Sequence, residues 1–170
     1  MHKGRHIPVR KNFPSRPTTD FAKENLFNIL NNRFHFEDLH VLDLFAGTGS
    51  ISYEFASRGA TVTAVEINYK SVQFIRETLE TLRMDKVSIV KADAFRFLNK
   101  TQSAYDIIFA DPPYQLKDIQ VIPDMLFERD LLKKDGWFIL EHSDQITFSS
   151  HPKLRESRSY GSVNFAIFSD

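Results

Sequence analysis

The sequence predicts a doubly wound α/β fold built on a mostly parallel sheet. Five short runs of apolar, β-branched and aromatic residues each end at a carboxylate, and helix-like stretches separate them. Near-continuous apolar strands spaced in this way are typical of a parallel sheet covered by helices on both faces. The tail at 162–168 instead alternates large and small residues after the turn at Tyr160 and Gly161, which predicts a final antiparallel strand.

The predicted strands and helices alternate along the chain. The strands are HVLDLF at 40–45, TVTAVE at 61–66, VSIVKAD at 87–93, YDIIFAD at 105–111 and GWFILE at 136–141. Helices are expected between them at 50–58, 68–83, 94–99 and 117–134, the third being short. Asn68 is a suitable N-cap for the helix that it begins.

A further helix is predicted ahead of the first strand, from Asp20 to about Asn31. Thr18 or Thr19 can cap it, because a threonine hydroxyl accepts a hydrogen bond from the free N–H groups of a first helical turn. Its apolar side chains recur with helical spacing and should form one buried face, which consists of Phe21, Leu26, Phe27 and Leu30.

Length and composition bound the domain organisation. A chain of 170 residues with 42% hydrophobic content can bury one core, so we expect one domain over 1–170, with a basic arm at 1–18 and a catalytic core at 19–170. The absence of cysteine excludes disulfides, thiolate metal sites and a cysteine nucleophile. No stretch approaches the roughly 20 apolar residues of a membrane span, and no apolar leader is present. We therefore expect a soluble, cytoplasmic monomer without a membrane partner.

The formal net charge is zero, but the positive charge is concentrated in the N-terminal segment. Asp20 is the one acid there, and the basic residues of the segment are Lys3, Arg5, Arg10, Lys11, Arg16 and Lys23. A basic, proline-containing arm is the form expected of an element that tracks nucleic-acid phosphates. The alternative is a solvated terminal tail.

The turn after the first strand, Asp43-Leu-Phe-Ala-Gly-Thr-Gly49, is the predicted ligand loop. Gly47 and Gly49 permit positive φ and a close backbone approach to a ligand. The loop lacks the third glycine of a dinucleotide fingerprint, and Asp43 would repel a pyrophosphate. An acid suits a ligand that carries an ammonium and a sulfonium group. Asp43, Phe45, Gly47 and Gly49 are therefore candidate binding residues.

Two further acids end the next two strands. Glu66 lies about 20 residues beyond the loop, where an acid accepts hydrogen bonds from ribose hydroxyls. Asp93 ends the third strand and can accept an adenine amino group, and the neighbouring Ile67 and Ala94 are assigned to the same site. Each acid alone is weak evidence, because polar residues often end strands. Their placement on one sheet edge beside the glycine loop predicts a single binding site.

The motif Asp111-Pro112-Pro113-Tyr114 directly follows the fourth strand and is the most specific in the chain. Its two prolines lack N–H groups and stiffen the segment. The Asp111 side chain and the Pro112 carbonyl can accept the hydrogens of an exocyclic amine and aim its lone pair, while Tyr114 stacks on the base. The motif therefore predicts methyl transfer to the amine of an unstacked base. Asp111 or solvent would take the released proton.

On these motifs the chain resembles the RsmD-like methyltransferases, which modify guanine N2 in small-subunit (16S) ribosomal RNA. The resemblance spans nearly the whole chain and rests on RPTTD at 16–20, VLDLFAGTGS at 41–50, FADPPY at 109–114, the EHS after the fifth strand and the YG before the last. It implies a Rossmann-like class I methyltransferase with seven strands, the last antiparallel, and S-adenosylmethionine as the cofactor.

The resemblance also assigns the N-terminal residues. The RPTTD segment, with Arg16, Thr18 and Thr19, is expected to fold over the cofactor. GRHIP at 4–8 is expected to belong to an RNA-facing hairpin, so that Lys3, Arg5, Arg10 and Lys11 contact ribosomal RNA or the small subunit. Family members usually carry a further short strand ahead of this basic element. Met1 stands almost at the element here, which predicts an incomplete hairpin, weaker RNA affinity and unaltered cofactor binding.

Other functions fit the sequence less well. The D-P-P-Y chemistry also suits adenine N6, but a DNA adenine methyltransferase generally needs a further domain to read base edges. A catalytically silent RNA-binding assembly factor is disfavoured by the intact Asp111, Tyr114 and Gly47. No histidine has metal-ligand spacing with an acid, so no metal is expected. Ser50 does not lie in a nucleophile elbow.

Overall fold

The computed structural model describes residues 18–170, and its centre is one seven-stranded sheet. The strands are β1 His40–Leu44, β2 Thr61–Glu66, β3 Val87–Lys91, β4 Tyr105–Ala110, β5 Leu132–His142, β6 Leu154–Tyr160 and β7 Val163–Phe168. Their order across the sheet is β3-β2-β1-β4-β5-β7-β6. The first five are parallel, and β7 lies antiparallel to both β5 and β6. The predicted doubly wound α/β fold is confirmed.

Five α-helices flank this sheet, and a short 3-10 turn lies at Phe36–Asp38. The helices are α1 Asp20–Asn31, α2 Ser50–Ser57, α3 Tyr69–Leu82, α4 Ala94–Lys100 and α5 Val121–Glu128. None of those within 18–170 has the length and apolarity that crossing a lipid bilayer requires. The basic residues of the arm and the GRHIP stretch lie outside the described residues.

Strand alternation divides the core into two layers, one on each face of the sheet. Residues of α1, α2 and α3 pack on one face, where Val41 and Phe109 are buried. Residues of α4 and α5 pack on the other, where Leu42 and Ile108 are buried. Because side chains alternate, Asp43, two residues after Val41, and Asp111, two residues after Phe109, point to the same face as those core residues. Asp43 and Asp111 therefore belong to the face of α1, α2 and α3.

The predicted helix caps are present, with one choice resolved. The Thr19 side chain accepts a hydrogen bond from the Ala22 N–H at the start of α1, and Asn68 does the same for the Ser71 N–H in α3. Thr18, the other candidate cap, uses its hydroxyl elsewhere. Phe21 was assigned to the buried face of α1, and this is wrong. Its ring is 60% exposed and meets Tyr160 edge-on, while Ala22 takes the buried position.

The structure also corrects the region after the catalytic motif. The helix predicted at 117–134 is confined to α5, and Leu132 already begins β5. The chain bulges between the two registered pairs Tyr105↔Leu132 and Ile107↔Trp137. The polar residues at both ends of 117–134 favour a helix, so the predicted helix extends beyond the boundaries that α5 has in the structure.

No strand was predicted at β6 from the residues themselves. Leu154–Tyr160 carries no buried side chain, so the alternation that marks a half-buried strand is absent. It is an edge strand, and charged residues such as Glu156 and Arg158 are typical of edges that must not pair with another chain.

Candidate active site

A cavity of about 420 Å³ lies at the carboxyl ends of β1, β2 and β4. This is the edge where ligands bind in open α/β sheets. It brings together ten of the residues predicted from the sequence: Thr18, Asp43, Phe45, Gly47, Glu66, Ile67, Asp111, Pro112, Pro113 and Tyr114. The glycine loop and the D-P-P-Y motif, more than sixty residues apart in the chain, therefore share one cavity.

The glycine loop is held in a conformation that few residues adopt. Phe45 has φ of 59° and Gly47 has φ of 57°, both in the left-handed region. A non-glycine residue there is uncommon, and such residues occur more often than average at functional sites. The Ala46 N–H donates to the Val65 carbonyl at 2.9 Å, which anchors the loop to the end of β2.

Gly49 has the positive φ that the sequence predicted. It lies at the N-cap of α2 with φ of 80°, and a Cβ there would stand 2.6 Å from the Tyr53 ring tip. Glycine is favoured because φ is positive and because the phenol of Tyr53, a residue of α2 itself, occupies the space of a Cβ. Among the described residues Gly49 does not line the cavity, so its link to the cofactor remains a prediction.

Glu66 braces the loop from the end of β2. One carboxylate oxygen accepts the Gly47 N–H and the other accepts the Asn68 N–H, each at 2.8 Å. The side chain is 9% exposed. Both ligand-facing segments are therefore positioned by one carboxylate, which also lines the cavity.

Asp43 is almost inaccessible to solvent, with 1% exposure. Burial raises its pKa to about 7, the Ser52 hydroxyl bond at 2.6 Å opposes that shift, and the nearby Glu66 adds to it. A buried carboxyl group next to another acid favours a cationic ligand, because a positive charge would relieve both the desolvation and the repulsion.

Asp111 follows β4 and lies among other acids. Burial raises its pKa well above the usual range, Glu141 and Asp43 raise it further, and the nearby Thr18 hydroxyl lowers it. The Pro113 carbonyl accepts the Leu116 N–H at 2.9 Å, so the chain turns directly after the prolines. Tyr114 is 66% exposed, which leaves its ring available for stacking.

Sequence reasoning assigned no role to two residues of this site. Ser52 bonds Asp43, and Glu141, which is 8% exposed, accepts the Thr18 hydroxyl at 2.6 Å. The signal for Glu141 was available, because it ends the fifth apolar run and begins the EHS motif. Ser52 carries no such signal, since any small polar residue of α2 has the same local pattern.

Four predicted binding residues lie apart from the cavity lining in the described part of the chain: Thr19, Gly49, Asp93 and Ala94. Thr19 caps α1, and the Asp93 side chain accepts the Arg96 N–H at 3.0 Å as the N-cap of α4. Asp93 nonetheless follows β3, whose carboxyl end lies at the same sheet edge, beside β2. Arg16, Lys3, Arg5, Arg10 and Lys11 lie outside the described residues. Over 18–170, no group of His, Asp or Glu has an arrangement that could hold a metal ion.

Comparison with known families matches this architecture. The profile of the family described as Conserved hypothetical protein 95 matches residues 1–169. The chain belongs to this family.

Relatives of the family carry a more specific name. Ribosomal RNA small subunit methyltransferase D of Buchnera aphidicola subsp. Baizongia pistaciae is 31% identical over 172 residues, which cover 98% of this chain and 87% of the relative. The protein of the same name from Escherichia coli K12 is 34% identical over 137 residues, covering 79% of this chain and 65% of the relative. The RsmD-like resemblance is thus confirmed.

Solved structures of related proteins have the same fold. The Escherichia coli protein yhhF superposes with a TM-score of 0.82 at 27% identity, covering 97% of this chain and 91% of yhhF. The Thermus thermophilus 16S rRNA N2 methyltransferase RsmC, in complex with AdoMet and guanosine, has a TM-score of 0.73 at 22% identity and covers 93% of this chain and 45% of RsmC. The latter likeness shows the fold alone.

Proposed function

We propose that this protein is an S-adenosylmethionine-dependent methyltransferase that acts on the exocyclic N2 amine of a guanine in small-subunit ribosomal RNA. One observation carries the proposal: the glycine loop, Glu66 and the D-P-P-Y motif line one cavity. The methyltransferase D relatives named above act, by their names, on the small ribosomal subunit RNA.

The cavity fits the cofactor by size and charge. Its volume of about 420 Å³ lies within the usual range of small-molecule sites. Its buried acids favour a ligand with sulfonium and ammonium groups. Asp43 and the loop around Gly47 would hold the charged end of the cofactor, Glu66 its ribose, and Ile67 with Asp93 its adenine. When bound, S-adenosylmethionine supplies an electrophilic methyl group.

The chain's own part in the reaction is to position the amine. The Asp111 carboxylate and the Pro112 carbonyl accept its two hydrogens and direct the nitrogen lone pair into the cavity. Tyr114, exposed at the rim, stacks on the base after the base has left its RNA helix. No metal is needed for this chemistry.

Asp111 can also receive the proton that the amine loses as the new bond to carbon forms. Its raised pKa makes it a stronger base than an ordinary carboxylate, because its acidic neighbours and burial oppose its ionisation. A pKa closer to the working pH is the condition under which a side chain both loses and regains a proton readily.

The same proposal includes the RNA partner, the residues that contact it and the residues that cover the cofactor. The partner is ribosomal RNA or the small ribosomal subunit, contacted by Lys3, Arg5, Arg10 and Lys11 of the N-terminal arm. The RPTTD residues Arg16, Thr18 and Thr19 cover the cofactor. We expect the protein to act as a cytoplasmic monomer.

The test offers labelled S-adenosylmethionine with unmethylated small ribosomal subunits, free 16S ribosomal RNA and duplex DNA, and identifies the modified nucleoside by mass spectrometry. N2-methylguanosine, at one mapped position, is the expected product. N6-methyladenosine in DNA would establish the adenine alternative, and binding of RNA without any transfer would establish a silent assembly factor.

A further inference from the structure

The EHS motif at 141–143, at the carboxyl end of β5, has no part in the chemistry described so far, yet its first residue lies beside the catalytic acid. Ala110 of β4 pairs with Leu140 of β5, so Asp111 and Glu141 are the next residues on two neighbouring strands. Such strands are about 4.8 Å apart, and equivalent positions point to the same face. The two carboxyl groups are therefore neighbours on the face that α1 covers.

The contacts of Glu141 keep it at this position. The Thr18 hydroxyl donates to its Oε2 at 2.6 Å, within a site where the glutamate is nearly inaccessible. Its charge contributes to the raised pKa of Asp111, which agrees with their proximity.

A narrow cleft separates the two strand ends. The residues Asp111 to Tyr114 and Glu141 to Ser143 line this cleft together with the apolar Leu116, Ile119 and Ile146. Since the D-P-P-Y motif also lines the large cavity, the end of β5 lies next to the place where the target amine would bind. A base stacked on Tyr114 would present the rest of its hydrogen-bonding edge toward the end of β5.

The two candidate bases differ at the atom next to that amine. In guanine, the N1–H donor is adjacent to the N2 amine. In adenine, the N1 atom next to the N6 amine is an acceptor. The D-P-P-Y motif by itself can bind either amine, and a second group that faces N1 would discriminate between the two bases.

We propose that Glu141 determines specificity by accepting the N1–H of the target guanine while Asp111 accepts a hydrogen of the N2 amine. This inference rests on the proposed function and names the group that selects the base. A carboxylate at this position stabilises bound guanine through a charge-assisted hydrogen bond. It opposes adenine and 2-aminopurine, whose N1 lone pair would face the negative charge. Thr18 is the positioning residue that orients Glu141.

The experiment uses small-subunit particles reconstituted with 16S ribosomal RNA that carries guanine or 2-aminopurine at the mapped position. 2-Aminopurine keeps the 2-amine but lacks O6 and has an unprotonated N1, so the part of the rate difference that Glu141→Gln removes belongs to the N1 contact. The wild-type enzyme should methylate guanine roughly 10- to 100-fold faster than 2-aminopurine, a ratio typical of one lost base contact. Glu141→Gln should reduce transfer to guanine and bring the two rates within about threefold, because an amide can either donate to N1 or accept from it.

Two variants separate this role from a structural one. Glu80→Gln changes an exposed glutamate of α3 and should keep the wild-type ratio. Thr18→Val removes the hydroxyl bond to Glu141 and should lower the ratio less than Glu141→Gln does. If Glu141 only braces the Thr18 segment, both site variants will lose cofactor affinity with the guanine to 2-aminopurine ratio unchanged, which overturns the proposal.

The wild-type comparison can overturn the role of Glu141 even if Glu141→Gln does not fold. Equal rates on guanine and 2-aminopurine would overturn the role of Glu141 while leaving guanine methylation intact. Absence of transfer to guanine in every particle would instead overturn the proposed function itself. The two failures therefore give different results in the same assay.

Discussion

Strand β4 has an aspartate at its amino end and another beyond its carboxyl end, and their surroundings are opposite. Asp106 accepts the His40 N–H at 2.8 Å and forms an ion pair with Lys133 at 2.9 Å. Asp111 lies instead among the acids Glu141 and Asp43, which raise its pKa. Asp106 has the surroundings of a structural carboxylate, with hydrogen-bond donors and a cation. Asp111 has the surroundings of a ligand-binding carboxylate, which is buried with fewer donors and therefore lowers the stability of the fold.

The largest expected difference is in turnover. Asp111→Ala should lower methyl transfer by about 100- to 10,000-fold, because the amine loses both an oriented acceptor and a proton acceptor. S-adenosylmethionine affinity, measured by calorimetry, should stay within a fewfold of wild type. Asp106→Asn keeps an acceptor for the His40 N–H and should leave turnover unchanged.

The Asp106 variant also tests the structural side of the comparison. Its partly exposed pair with Lys133 should contribute no more than about 1 kcal/mol to the free energy of unfolding in denaturant titrations. Unchanged turnover in Asp111→Ala would contradict a catalytic role of Asp111 and its difference from the structural Asp106.

Glu66 should affect the cofactor before it affects chemistry. Glu66→Ala removes the acceptor of two backbone N–H groups, at Gly47 and Asn68, and should weaken S-adenosylmethionine binding by about 10- to 100-fold. At saturating cofactor, kcat should fall much less than in Asp111→Ala. A variant with wild-type affinity in calorimetry would remove Glu66 from the binding site.

Asp43 predicts how cofactor binding depends on pH. Its carboxyl group has a pKa of about 7 in the folded protein, and a cationic ligand binds best to the ionised form. Affinity for S-adenosylmethionine should therefore rise by up to about tenfold per pH unit from about pH 5 to 7 and then level off. Asp43→Asn should bind more weakly and lose this dependence, whereas a pH-independent wild-type affinity would refute the assignment.

The same group predicts the pH dependence of stability. The folded pKa of Asp43 is raised above the unfolded value of 3.8, so the folded state binds the proton more tightly. Its contribution to stability is complete below about pH 4 and is lost as pH rises toward 7. Asp43→Asn removes this loss and should have the higher melting temperature at pH 8, with little difference at pH 4.

The basic arm offers the smallest and most graded effect, and its charge is opposite to that of the acidic site. Replacing Arg5, Arg10 and Lys11 with glutamine should weaken RNA binding and reduce the slope of log affinity against log salt by about 2. Filter binding over a range of salt concentrations measures this. Equal slopes for variant and parent would mean that the arm contacts no phosphate.

Most of the fold and the principal site residues were predictable because their signals are local. An apolar run that ends at an acid indicates a buried strand and its carboxyl end, and parallel strands bring such ends to one edge. The D-P-P-Y motif and the glycine loop carry their chemistry in adjacent residues. These features place Asp43, Glu66 and Asp111 in one site without knowledge of any contact.

The remaining features depend on contacts between distant residues. The Thr18 hydroxyl meets Glu141, which is 123 positions away, and this bond explains why Thr19 rather than Thr18 caps α1. Strand β6 has no buried side chain and exists because β7 offers it a hydrogen-bonding edge. Phe21 is exposed although its spacing suits a buried face, and α5 is shorter than its helical propensity suggests. Packing decides such cases, because local preferences of a few tenths of a kcal/mol per residue are easily outweighed by tertiary contacts.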